Sequence, residues 1–105
     1  MAEFSNVTVV KKANVFFDGN VVSRTIIFPD GSKKTLGFMQ PGSYTFNTEA
    51  AEVMEFLSGE LTVELPNTKD LLTISGNGSF NISANSSFTM HVTKHADYCC
   101  SFISR

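Results

Sequence analysis

Hydrophobic and polar positions alternate along most of the chain in short runs: "NVTVV", "ANVFF", "NVVSRTIIF", "SYTF", "LTVEL", "LLTI", "SFNI", "SFTMHV" and "YCCSFI". These runs are rich in Val, Ile, Thr, Phe and Tyr and read as β-strands. Asp18-Gly19, Pro29-Asp30-Gly31, Pro41-Gly42, Ser58-Gly59, Pro66-Asn67 and Gly76-Asn77-Gly78 stand between them, and such pairs favour reversals. Many short strands at this spacing predict an all-β sandwich or barrel. One stretch fits less well: "GSYTFNTEAAEVMEFLSGE", Gly42 to Glu60. Thr48 could cap a helix through Leu57, because Ala, Glu, Met and Leu favour helix. As a strand, the same stretch puts Glu52, Met54 and Phe56 on one face and Val53, Glu55 and Leu57 on the other. Neither face is cleanly polar, as in a strand that fills a barrel on one side, and periodicity leaves both readings open.

The 105 residues suit one domain spanning 1–105 with room for one core and one pocket. Phe, at 10 copies, dominates the aromatic set and Trp is absent, which excludes a disordered segment. Eight Lys and Arg against ten Asp and Glu give a net charge of -2, with no basic run beyond Lys11-Lys12 and Lys33-Lys34. That balance argues against nucleic acid as a partner. No basic region precedes an apolar leader, and nothing approaches the ~20 apolar residues of a membrane span, so a soluble, cytoplasmic protein is expected. Cys99 and Cys100 are adjacent; on a strand they face opposite ways, which predicts two free thiols in a reducing compartment. The Asn-x-Ser/Thr triplets at Asn6, Asn77, Asn81 and Asn85 carry no meaning without secretion.

The run "GFMQPGSYTFNTEAAEVMEFLSGELTVELP", the later "SFNISANSSFTMHV" and the terminal "DYCCSF" together resemble the pyrimidine/purine nucleoside phosphorylase family. The likeness extends from "ANVFFDGNVVSRTI" at Ala13 to the C-terminus and rests on several motifs in order. It implies a cupin-type double-stranded β-helix, a jelly-roll barrel. It also implies that the Glu52 segment is a strand after a brief corner at Thr48 to Ala51. Ser83 stands where the family has Pro before "ANS", and Asn77 where it has a turn Gly.

Metal-binding cupins carry two His and a Glu in a first motif, with Gly beyond it, and a third His in a second motif. On that pattern Glu52 and Gly59 take the Glu and Gly positions, Phe46 and Thr48 fall in the first two His slots, and Phe88 in the third. Asn77, Ser83 and Asn85 stand where the second motif has Gly, Pro and Gly. One carboxylate and one hydroxyl are too few lone-pair donors for a first-row metal. His91 and His95 do not replace the missing ligands, because the local pattern there is strand and then turn. The resemblance therefore implies a barrel without metal or other cofactor, with phosphate as co-substrate.

Tyr44, Phe46 and Thr48 share one strand face by parity, and that face is expected to point inward with Glu52, Met54, Phe88 and Met90 as the substrate-binding set. Rings and thioethers suit a nucleobase and the polar groups suit a ribose, although plain core packing explains any single Phe or Met as well. Phosphorolysis needs an anion site, contacts that fix the ribose, and help for the departing base. Glu52 is the catalytic candidate: its carboxylate can accept hydrogen bonds from both ribose hydroxyls and stabilise positive charge on the sugar ring. Alternatively it serves as a general acid, which requires a pKa raised by burial, or it sits at the barrel rim in water. For phosphate the cations are Arg24, Lys33, Lys34, Lys69, Lys94 and Arg105, with Lys11 and Lys12 near the N-terminus. Arg24 and Lys34 lie in stretches that resemble the family, and Ser86 and Ser87 could add donors. "SGNGS" reads as a turn rather than a phosphate cradle, since no helix or P-loop Lys follows.

No Asn or Asp stands out as a reader of base edges, which permits a broad base range. Two other classes remain open: a non-catalytic cupin that binds a sugar or nucleoside, and a sugar isomerase acting without phosphate. The resemblance also implies a homodimer, in which "NVTVV" or "ANVFF" could pair with a neighbouring sheet and remove an open edge.

Overall fold

A computed structural model describes residues 3–103. The strands are β1 (Thr8–Val9), β2 (Asn14–Phe16), β3 (Val21–Ile27), β4 (Lys33–Met39), β5 (Gly42–Asn47), β6 (Ala51–Glu64), β7 (Leu71–Ser75), β8 (Gly78–Ile82) and β9 (Ser87–Ile103). The only helical element among the described residues is a 3-10 turn, Phe17–Gly19, between β2 and β3. The stretch that could have been a helix is therefore strand. Its apolar positions, buried at Met54, Phe56, Leu61 and Val63, alternate as a pleat requires and meet antiparallel partners on both sides.

β6 and β9, of 14 and 17 residues, are long enough to belong to two sheets each. Ala51–Phe56 of β6 pairs with Tyr98–Ile103 of β9, Glu52–Phe56 also with β8, and Lys34–Met39 of β4 with Ala96–Ser101 of β9. This first sheet continues through β3 to β1 and β2. The second sheet joins β5 to Ser87–Val92 of β9, that half of β9 to Leu61–Glu64 of β6, and β6 to β7. Every pair is antiparallel. The two sheets face each other as a jelly-roll barrel, the architecture expected.

Two sequence expectations change here. Ser58-Gly59 does not reverse the chain; it is a bulged corner inside β6, with register shifts at Phe56/Ser58, Ser58/Glu60 and Glu60/Leu61. Gly59 has φ +116°, and a Cβ on it would lie 2.7 Å from both Ala96 Cα and His95 O, so only glycine lets the two long strands cross this closely. The turn expected after His91 is likewise absent: β9 passes the same corner without reversing. The genuine reversals include Pro29-Asp30-Gly31, closed by Phe28 N–H to Ser32 O at 2.9 Å.

Between the sheets lies one core, in which Phe56, Met39, Ile82, Met90, Val21 and Val63 are the largest fully buried side chains. Phe56 stacks on Phe80 at 6.0 Å and tilts against Tyr98 at the same distance, filling the barrel on the β8 side. Cys99 and Cys100 are buried and unbridged. No helix among the described residues is long and apolar enough to cross a membrane.

Candidate functional site

The barrel does not fill completely, because the inner face of the first sheet carries hydroxyls where a core would carry methyls. Ser23 and Thr25 alternate with Arg24 on β3, and Thr35 alternates with Lys34 on β4. Ladder pairing puts Thr25 beside Thr35 and Thr35 beside Cys100, so a polar stripe crosses three strands. Beside this stripe lies a cavity of about 420 Å³, within the usual range for small-molecule sites. The opposite wall, from the second sheet, is apolar: Phe46, Phe88 and Met90. Phe46 stacks on Phe88 at 6.1 Å and meets Phe16 of β2 edge-on at 5.5 Å.

Glu52 lines this cavity, half-buried at the start of β6. Burial raises its pKa above the ordinary carboxylate value, opposed by a hydrogen bond from Cys100 Sγ to Oε1 at 3.5 Å. The rim placement in bulk water is thereby replaced by a wall position. Burial, then the Glu52 charge, pushes the Cys100 thiol far up, so it is a neutral donor and not a nucleophile. Tyr98 stands beside them; burial pushes its phenol up to about 12, against a hydrogen bond with Ser23. Its ring lies across Gly37, where an added Cβ would come within 2.4 Å of Cζ and 2.5 Å of Oη. The missing side chain at Gly37 is what leaves room for the ring there.

Of the substrate-binding set, Phe46, Met54, Phe88 and Met90 line the cavity together with Glu52. Tyr44 and Thr48 do not, although both are buried. Tyr44 Oη donates to Gln40 O at 2.7 Å, which ties down the β4–β5 connection. Thr48 Oγ1 donates to Ser83 O at 2.8 Å and accepts from Ser86 N–H at 3.1 Å. It clamps the β8–β9 turn onto the corner that begins β6, and so holds Glu52 in place indirectly.

The phosphate candidates are placed away from the cavity. Arg24 points to the outer face by strand parity, its guanidinium donating to Lys11 O. Lys34 also faces outward, its Nζ 5.5 Å from the Phe4 ring and 5.8 Å from Phe28. Ser86 Oγ donates to Ser83 O at 2.6 Å, and Ser87 is exposed opposite Asn47 in the β5–β9 ladder. Arg105 lies outside the described residues. Lys33 lines the cavity instead, since a shift of one residue along a strand exchanges the two faces.

Two asparagines, Asn14 and Asn47, also line the cavity, so polar groups able to read a base edge are present where none was expected. Pairing brings Lys33 inward: Val21, Ser23 and Thr25 mark the inner face of β3, and the β3–β4 register carries that face to Lys33 and Thr35. Nothing in the sequence placed β2 over the cavity.

The cupin metal positions hold few lone-pair donors. Glu52 supplies a carboxylate, Phe46 and Phe88 supply none, and Thr48 is committed to Ser83 and Ser86. Among the described residues no three His, Cys, Asp or Glu side chains converge. His91 is on the outer face, between Ser43 Oγ at 2.8 Å and the Glu64 carboxylate, and His95 stacks on Phe38 at 5.7 Å.

A family model described as pyrimidine/purine nucleoside phosphorylase matches residues 11–102. A curated pyrimidine/purine nucleoside phosphorylase of Geobacter metallireducens is 64% identical over 103 residues, which are 98% of this chain and 99% of that one. Among solved structures, a protein of unknown function from Acinetobacter sp. ADP1 superposes with a TM-score of 0.91 at 38% identity, covering 96% of this chain and 98% of its own. An RmlC-like cupin from Shewanella frigidimarina gives a TM-score of 0.66 at 14% identity over 95% of this chain and 86% of that one, a likeness of fold alone.

Proposed function

Since the chain belongs to the pyrimidine/purine nucleoside phosphorylase family, we propose that its cavity takes a nucleoside and inorganic phosphate and releases free base and ribose 1-phosphate, over a broad range of purines and pyrimidines. The observation that carries this reading is the two-sided cavity. An aromatic and thioether wall of Phe46, Phe88 and Met90 faces a wall of hydroxyls, a carboxylate and an ammonium. The first wall suits the flat face of a base, and the second suits a sugar and an anion.

A phosphate oxygen forms a bond to C1′ as the C1′–N bond breaks, and the bonding pair leaves with the base, which then takes up a proton. Positive charge grows on the sugar in between. Glu52, with Oε1 already held by Cys100, accepts from the ribose hydroxyls and stabilises that charge. Lys33, the cation among the described residues that lines the cavity, holds phosphate as a point charge. Tyr98, neutral at working pH because its phenol is pushed up to about 12, adds a hydrogen bond. No step needs a covalent nucleophile or a metal, and activity is expected to survive chelation.

We place the protein in the cytoplasm, which the two unbridged cysteines favour. It acts without nucleic acid or membrane partners, as a homodimer through the edge formed by β1 and β2, where Val9 and Val15 are exposed. Base release from uridine and adenosine, with and without phosphate, tests the reaction. Release that requires phosphate supports it, and binding without turnover overturns it in favour of a carrier or sensor.

A further inference from the structure

β2 is three residues long and pairs only with β3, yet it closes one side of the cavity with two side chains, Asn14 and Phe16. Phe16 extends the aromatic wall towards Phe46. Asn14 is held differently. Its Nδ2 donates to Ser23 Oγ at 3.2 Å and to Thr25 Oγ1 at 3.1 Å. Both amide hydrogens are thus committed to β3, and Oδ1 has no donor partner among the described residues. Asn47, on the exposed end of β5, has no comparable anchor among them.

We propose that Asn14 is the base-reading residue of the site, its Oδ1 accepting an N–H from the pairing edge of the bound nucleobase. This assignment rests on the phosphorolysis reading and deepens it. A base lying against Phe46 and Phe88 has β2 at its edge, because Phe16, on the same face of that strand as Asn14, touches Phe46. Glu52 is on β6, at the far end of the polar stripe, where the ribose is placed. Every common base offers a donor on its pairing edge: the ring N–H of uracil, thymine, hypoxanthine and guanine, and the exocyclic amino group of adenine and cytosine. A single fixed acceptor with no donor beside it is satisfied by all of them. Breadth of base range then follows from one hydrogen bond common to all substrates, without a separate pocket for each.

The test pairs a protein change with a substrate change. 3-Methyluridine lacks the only donor on the pairing edge of uridine. The wild-type protein is expected to favour uridine by about 10- to 100-fold in kcat/KM, the range that leaving one polar group unpaired produces. Asn14→Ala should lower uridine cleavage by that factor and bring the two substrates to within about threefold of each other. Thr25→Val, which removes one anchor and frees the amide to turn, should narrow the preference while the fold is retained. Equal rates for both nucleosides in the wild-type protein, or a full uridine preference surviving in either variant, overturn the role of Asn14 and leave phosphorolysis standing. Absence of phosphate-dependent release from uridine itself overturns the reaction, and Asn14 with it.

Discussion

Gly37→Ala perturbs the site through a single contact. An alanine Cβ at this position would lie 2.4 Å from Tyr98 Cζ and 2.5 Å from Oη, whereas carbon atoms rest at about 3.5 to 4.0 Å, so the ring must move by about 1 Å. Phe56 closes one side of Tyr98 at 6.0 Å, and the remaining way out is into the cavity. Overpacking of this kind costs about 1 to 3 kcal/mol, with an unfolding midpoint lower by roughly 4 to 8 °C per kcal/mol in a domain of this size. The ring also enters the space meant for substrate, and a displacement of about 1 Å in a reacting geometry costs up to about 100-fold in rate. Urea unfolding and kcat/KM for phosphate-dependent base release measure the two losses separately. Repeating Gly37→Ala in a Tyr98→Ala background isolates the cause, because the cost should vanish once the ring is gone. An equal loss of stability in both backgrounds, or none in either, would refute the contact between Gly37 and Tyr98.

Gly59→Ala should be more severe: φ +116° and backbone atoms 2.7 Å from the new Cβ leave nothing flexible to yield. About 2 to 4 kcal/mol of stability should be lost in urea unfolding. Glu52→Gln should stabilise the protein at neutral pH while removing activity. Burial raises the folded pKa of Glu52 above 4.5, so the folded state binds the proton more tightly than the unfolded chain does. The resulting penalty is absent below 4.5, grows as pH rises from there through the folded pKa, and is full above it. Melting curves of wild type and Glu52→Gln should therefore diverge as pH rises; divergence towards acid would contradict the burial argument. Lys33→Ala should raise the KM for phosphate by about tenfold or more, the worth of one charge-assisted contact, while Lys34→Ala leaves it nearly unchanged. Steady-state kinetics at varied phosphate separates them.

How much of this was legible in the sequence depends on which physical constraint each residue obeys. The alternation in "SYTF", "LTVEL" and "SFTMHV" announced strands, and parity within "SYTF", extended across strands by the resemblance, placed Phe46, Met54, Phe88 and Met90 on the cavity side. Parity also predicted Tyr44 and Thr48 as inward, and both are buried, but whether an inward residue meets the cavity or the core depends on its row in the sheet. Register between strands was illegible in the same way. "GSKKT" offers two adjacent lysines, and the inward one is fixed only by the pairing of β3 with β4. The corner at Gly59 looked like a turn because glycine serves both; only the close approach of β9, distant in sequence, makes it a crossing. Asn14 sits in a segment whose local pattern says strand and nothing of what it covers.

The cavity is expected to join phosphate to the sugar carbon as the base departs. The most direct measurement follows the phosphorus resonance of a uridine and phosphate mixture incubated with the protein after chelation of metals. Ribose 1-phosphate should appear in step with free uracil, mole for mole. Uracil released without a sugar phosphate, or a sugar phosphate formed only when metal is restored, would contradict it.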